Sequence, residues 1–232
     1  MDEAVIALWP LREGLLTAYD RALRQRNRLL KEWDGAGSPP GVEVWDEELV
    51  QAGVAVIAAR ADAIERLAPP ASEEFAHLAG YELVCAYAPN VWATGGRSAD
   101  IEQAYRDRID ERRRDELQRR TSLVGPHRDD LTLAVRDLGA RAAGSHGETW
   151  ATALCLRVGL ATAVSAELGE PPVLLVDDPF SALDPTRRDQ IGERLASRPG
   201  QVVISVADEA DVPERASAVW DVRAGAVTPR SA

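Results

Sequence analysis

Val173-Leu174-Leu175-Val176-Asp177-Asp178-Pro179 is the stretch on which the reading of this chain turns. Four consecutive apolar residues predict a short strand buried on both faces, as in parallel sheets covered by helices. Two carboxylates then emerge at its C-terminal end, where open α/β sheets bind ligands. An acid in the place of Asp177 suits Mg²⁺, held directly or through water beside nucleotide phosphates. A second acid, Asp178, suits the polarising of an attacking water. A strand followed by an acidic turn has the same pattern, so the neighbouring segments decide between the two.

Downstream, Ser181-Ala182-Leu183-Asp184 opens a predicted helix running to Arg198, and Gln201–Ala207 reads as another buried strand. Upstream, an alanine- and leucine-rich segment from Glu148 to Leu168 predicts a buried helix. Ser145-His146-Gly147-Glu148 leads directly into it. A serine and a glycine at a helix start leave backbone N–H groups for an anion, although an ordinary capping box looks the same. Residues 123–135 read as turn and strand. Strands alternating with helices from residue 121 onward predict a mostly parallel sheet.

Residues 1–120 have a different texture. Positions 4–32 carry helical spacing, with Pro10 as a kink or helix entry. GAGSPPG at 35–41 breaks the chain. A second helix is expected from Val44 to Leu67, stopped by Pro69 and Pro70, with a short restart at Ser72. Tyr81–Tyr87 predicts a strand. From about 99 to 120 a charged helix shows one narrow stripe, Ile101, Tyr105 and Ile109, which suits a projecting arm. The expected division is therefore a helical arm over 1–120 and an α/β lobe over 121–232.

The 232 residues are 45% hydrophobic and 28% charged, enough apolar content for a core. A formal charge of −11 excludes a globally basic nucleic-acid binder, so DNA contact would need a local basic face. Two runs qualify: Arg21, Arg24, Arg26, Arg28 and Lys31, and the segment 106–120 with Arg112 and Arg113. The second also reads as a salt-bridge-laced, solvated helix face. No apolar run approaches the ~18 residues of a membrane span. The acidic start MDEAVIALWP does not resemble a secretory signal. Cys85 and Cys155 read as reduced core thiols of a cytoplasmic protein. Three scattered histidines make no zinc site, and core packing is expected of the six tryptophans.

In chain order, S-x-G-E, helix, four apolar residues with Asp-Asp, then SALD resemble the C-terminal half of an ABC-type ATPase head: signature motif, Walker B strand and D-loop. RALRQRNRLLKEW (21–33), SLVGPHRDDL (122–131) and Asp-Asp in place of Asp-Glu narrow the resemblance to the RecF family of bacterial DNA replication and repair proteins. It extends from about Leu15 to Thr228. The resemblance implies that Asp177 coordinates Mg²⁺ and that Asp178 is the water-polarising acid. It places Ser145, Gly147 and Glu148 against the γ-phosphate of ATP held by an opposite subunit. Ser181 and Asp184 would form the D-loop at that dimer interface. His146 stands where the family more often has glutamine or arginine. Ala207 stands where many ABC ATPases have a switch histidine, so none is expected.

The resemblance further implies an ATP-dependent dimer, DNA binding where duplex adjoins a single-strand gap, and work with RecR in loading RecA. Arg21, Arg24, Arg28, Arg112 and Arg113 are the candidate DNA contacts. Phosphate contacts should dominate, with steep salt dependence. The chain contains no G-x-x-x-x-G-K-[ST] loop, and its one lysine, Lys31, has no glycine before it. It is thus expected to match the C-terminal part of a RecF without the Walker A lobe, and not to hydrolyse ATP alone. A non-catalytic module that binds a partner chain or DNA is the alternative. An orphaned lobe of either kind should expose apolar surface. In 126–130, Asp129 and Asp130 are expected to pair structurally, while His127 or Arg128 near a nucleotide is the functional reading. An SMC-like head fits less well, since no heptad run is sustained.

Overall fold

Pro10 splits the first predicted helix. The computed structural model, which describes residues 1–135, 138–139, 146–180 and 185–230, has α1 at Asp2–Leu8 and α2 at Glu13–Glu32, joined by a 3₁₀ turn, Pro10–Arg12. Trp9 adopts φ −139° and ψ 84°, out of the helical region, as sterics before a proline favour. On α2, Tyr19, Ala22, Arg26 and Leu30 face inward at helical spacing.

The 38-residue α3, Val42–Ala79, is the spine of the molecule. It runs straight through Pro69 and Pro70, where the sequence predicts a stop and restart. A proline costs about 3 kcal/mol in a helix interior relative to alanine. Packing offsets that cost. The inward stripe continues as Leu67, Ala71 and Phe75, all buried. At Ala71 the helix meets Gly159, where an added Cβ would lie 2.6 Å from the Ala71 backbone nitrogen. The contact partner is α5, His146–Leu168. Gly80, at φ +78°, ends α3 and donates its N–H to the Ala76 carbonyl at 2.9 Å.

α4, Ser98–Arg119, does not project. Its stripe of Ile101, Tyr105 and Ile109 is fully buried against α2 and α3 with Tyr19, Leu49, Ile57 and Val124. A narrow stripe suffices because ion pairs to α3 carry the flanks: Arg106 with Glu47 at 2.9 Å, Arg113 with Asp46 at 2.6 Å.

The strands depart from the mostly parallel sheet. β1, Leu83–Ala88, pairs antiparallel with β2, Asp130–Val135, and β2 with the two-residue β3, Leu138–Gly139. Among the described residues only β4, Leu174–Asp177, and β5, Val202–Ser205, run parallel. Between them lies the crossover helix α6, Pro185–Ala196, as a parallel connection requires. β6, Trp220–Arg223, and β7, Ala226–Pro229, form a hairpin. Its loop residues, Ala224 at φ +49° and Gly225 at φ +79°, give the primed turn geometry that matches strand twist. The division expected at residue 120 falls at the end of α4. Contacts cross it, through the β1–β2 ladder and through α3 on α5.

β4 is covered on one face only, not both. Leu174, Val176, Val202 and Ile204 pack toward Val158, Phe180, Ile191 and Leu195. On the other face Leu175 is 74% exposed, beside exposed Val173 and Val203. The hairpin likewise bares Trp220, Val222 and Val227, so Trp220 and the exposed Trp92 do not follow the expectation of core packing. Residues 148–168 of α5 are long and apolar enough to cross a membrane by length and composition, although no uninterrupted apolar run marks them. Its alanines, leucines and valines raise the mean hydropathy, while Thr149, Thr152, Arg157, Thr162 and Ser165 interrupt any run. In the fold this helix packs on α1 and α3.

Candidate functional site

The register of the parallel pair sets Asp177 opposite Ser205. The Ser205 hydroxyl donates to Asp177 Oδ1 in a very short contact. Just beyond, the Asp178 N–H donates to the Ser205 carbonyl at 3.0 Å, with Ser205 Oγ at 3.3 Å. The chain then leaves the strand with Asp178 at φ +44°, left-handed backbone that aspartate tolerates better than most residues. Asp177 is exposed. Asp178 Oδ1 is buried and has no hydrogen-bond partner among the described residues. Buried polar atoms are nearly always paired, so an orphaned carboxylate oxygen marks a place where a donor or cation belongs. One carboxylate beside a hydroxyl, with a second acid next to it, suits Mg²⁺, which takes few protein oxygens and completes its shell with water and phosphate.

The other candidates are placed unequally. Ser145, Ser181 and Asp184 lie outside the described residues. Gly147 is in the first turn of α5. Glu148 follows it, and its Oε1 accepts a short hydrogen bond from the Tyr81 hydroxyl. Among the described residues no group of three or more His, Cys, Asp or Glu side chains is poised to hold a metal.

The 125–130 segment is a packing hub. Gly125 has φ +127°, and a Cβ there would collide with the Tyr105 and Tyr19 hydroxyls at 1.9 and 2.6 Å. The buried Asp129 carboxylate accepts from Arg60 Nη1 at 3.0 Å, from the Asn90 N–H at 2.7 Å and from the Tyr87 hydroxyl in a short contact. Arg60 also donates to the Pro126 carbonyl at 2.6 Å and to both Asp2 oxygens. The expected structural pairing of Asp129 is thus with Arg60 of α3. His127 lies 2.6 Å from the Tyr19 hydroxyl through Nδ1 and 3.1 Å from the Ser122 carbonyl through Nε2. Since a carbonyl only accepts, Nε2 carries the proton and Tyr19 donates to Nδ1. Burial lowers the His127 pKa and pushes the Tyr19 hydroxyl up to about 12. Arg60 was legible in principle: it is a lone cation in the apolar run 54–64. Ser205 carried no comparable signal, because only strand register brings it to Asp177.

The basic runs divide by exposure. Arg21, Arg24 and Lys31 are exposed on α2, and Arg28 is exposed but paired with Glu32 at 2.8 Å. Arg26 is completely buried, donating to Asp46, Glu116 and Ser122, and cannot touch a ligand in this fold. On α4, Arg112 pairs with Asp115, and Arg113 with Asp46 and Asp110.

Helices thus surround an antiparallel sheet and a parallel strand pair tipped with two aspartates, an α/β fold. The fold superposes on that of the recombination mediator protein RecF of the RecFOR pathway, solved as RecF-ATP. The TM-score is 0.83 at 24% identity, covering 98% of this chain and 61% of that one. No protein-family model matches. The "DNA replication and repair protein RecF" of Clavibacter sepedonicus is 34% identical over the whole chain, which covers 64% of that relative. Those of Streptomyces avermitilis and Cutibacterium acnes are 36% and 33% identical, each over 92% of this chain and 59% of the relative. The chain is similar to these RecF proteins over 92–100% of its own residues and spans about three fifths of their length.

Proposed function

We propose that this chain is the arm and C-terminal lobe of a RecF-like DNA replication and repair protein. In this reading it supplies the acidic half of an ATP site. The observation that carries it is the pair Asp177–Asp178 at the C-terminal end of β4, with Ser205 bracing the first and a buried oxygen of the second unpartnered. Asp177 would hold Mg²⁺, which when bound neutralises phosphate charge. Asp178 would orient the water that attacks the γ-phosphate. Ser145, Gly147 and Glu148 would face the phosphate of an opposing subunit, with Ser181 and Asp184 at the dimer interface.

The chain has no phosphate-binding loop of the G-x-x-x-x-G-K-[ST] type. The bare face of β4–β5 and the bare side of the β6–β7 hairpin are the surfaces on which a lobe carrying that loop would pack, in cis or in trans. DNA would be met by Arg21, Arg24 and Arg28 of α2, with Arg112 on the neighbouring arm helix. RecR is the proposed partner in helping to load RecA, and the cytoplasm the proposed location.

The test is ATP turnover by the chain alone and after mixing with the N-terminal lobe of a RecF relative. No turnover alone and turnover on mixing, abolished by Asp178→Asn, is the expected result. Turnover by the isolated chain that Asp178→Asn removes would sink the need for a second lobe. No turnover in the mixture despite a stable complex would favour the second reading, a non-catalytic module. That reading draws on the extent of bare apolar surface, which suits a docking role.

A further inference from the structure

At the N-terminal edge of β4 and β5, the end opposite the paired aspartates, the molecule holds a cavity of about 450 Å³. That volume lies within the ~300–1,000 Å³ of small-molecule sites. The last turns of α3 and α6 and the second half of α5 wall it. Two guanidinium groups line it and share one carboxylate. Arg194 donates to Glu74 at 2.8 and 3.2 Å, and Arg198 donates to the same group at 3.3 Å. Glu74 is nearly buried, and Arg198 is almost as deep. Arg198 also donates to Thr162 Oγ1 at 2.9 Å and to the Val158 carbonyl at 3.3 Å. Ser165, Ser197 and Gln201 add hydroxyls and an amide to the wall. Glu73 lines it too, exposed, and acts on Arg194 through space.

A tie between α3 and α6 needs one arginine for one carboxylate. Among the described residues a second guanidinium is taken out of water here and shares the one buried carboxylate, an arrangement that costs free energy unless an anion completes it. Burial lowers the Arg198 pKa; Glu74 opposes that effect and the neighbouring Arg194 adds to it. We propose that this cavity binds a small organic anion through one phosphate or carboxylate group, gripped by Arg198 and Arg194, with Thr162, Ser165 and Gln201 holding its polar body. The site is separate from the aspartates of β4 and does not depend on the ATPase reading.

The experiment uses the full 232-residue chain at low ionic strength, followed by amide and arginine side-chain NMR. Inorganic phosphate and succinate are titrated separately, so the tighter of the two identifies the anionic group. Saturable shifts at Arg194, Arg198 and Gln201 are expected with at least one probe. Arg194→Gln should weaken binding about tenfold, the loss of one charge-assisted hydrogen bond. Ser165→Phe, which fills the cavity and leaves both arginines in place, should abolish it. No saturable shift with either probe up to about 10 mM, the range of the weakest specific sites, overturns the proposal. So does binding that survives both variants unchanged.

Discussion

The hydroxyl of Ser205, the last residue of β5, is hydrogen-bonded to Oδ1 of Asp177, the last residue of β4. The two residues are 28 positions apart and stand opposite each other because the pair is parallel and in register. The bond fixes one oxygen of Asp177 and so directs the carboxylate at the edge where a metal would sit. Ser205→Ala should therefore raise the Mg²⁺ concentration for half-maximal turnover of the mixed lobes about tenfold, one hydrogen bond to a charged group. Ser205→Thr should restore it. A thermal melt within about 1 kcal/mol of the parent checks that the effect is local.

α3 should gain stability when its first proline is removed. Pro69 is exposed, and Pro69→Ala restores a helix-forming residue while loosening the unfolded chain. The net expectation is about 1–2 kcal/mol of stabilisation by urea denaturation. Gly159→Ala should act in the opposite direction, by about 1–3 kcal/mol, because its methyl group meets the Ala71 backbone.

His127 couples stability to pH. Its pKa is lowered from 6.5 by burial, so between those values the unfolded chain binds a proton that the folded chain does not. Stability is complete above about pH 6.5 and falls as pH drops toward the folded pKa. Urea midpoints taken from pH 7.5 to 5 should decline in the parent. In His127→Gln, which cannot titrate, that decline should flatten. An equal slope in both would assign the pH dependence elsewhere.

The buried pair Arg26–Glu116 should be costly to halve. Glu116→Leu leaves a guanidinium with no exposure and only Asp46 for charge, and about 3–5 kcal/mol should be lost. Arg26→Met with Glu116→Leu should recover most of it. A double-mutant cycle in urea measures the coupling, and additive losses would argue against it.

Much of this molecule was legible in one dimension. The four-residue spacing of Ile101, Tyr105 and Ile109 located α4, and β1 appeared where Tyr81–Tyr87 predicted a strand. The paired aspartates were found from a run of four apolar residues. Position in sequence failed where two remote segments set the outcome. Pro69 and Pro70 read as a stop, yet Gly159, 88 residues beyond Ala71, lets α5 pack closely on the helix just past them. Arg26 read as one of a row of basic residues, and the acids that bury it come from α3 and α4.

Local chemistry thus decided the element types: proline geometry broke the chain at Trp9, and an apolar run ending in acids made β4. Tertiary structure alone decided which face of β4 is bare, which arginines are buried and which serine braces Asp177. Those outcomes depend on contacts between residues tens of positions apart, and the free energy of a buried charge or a tight helix crossing resides in the pair. No single stretch of sequence carries that pair.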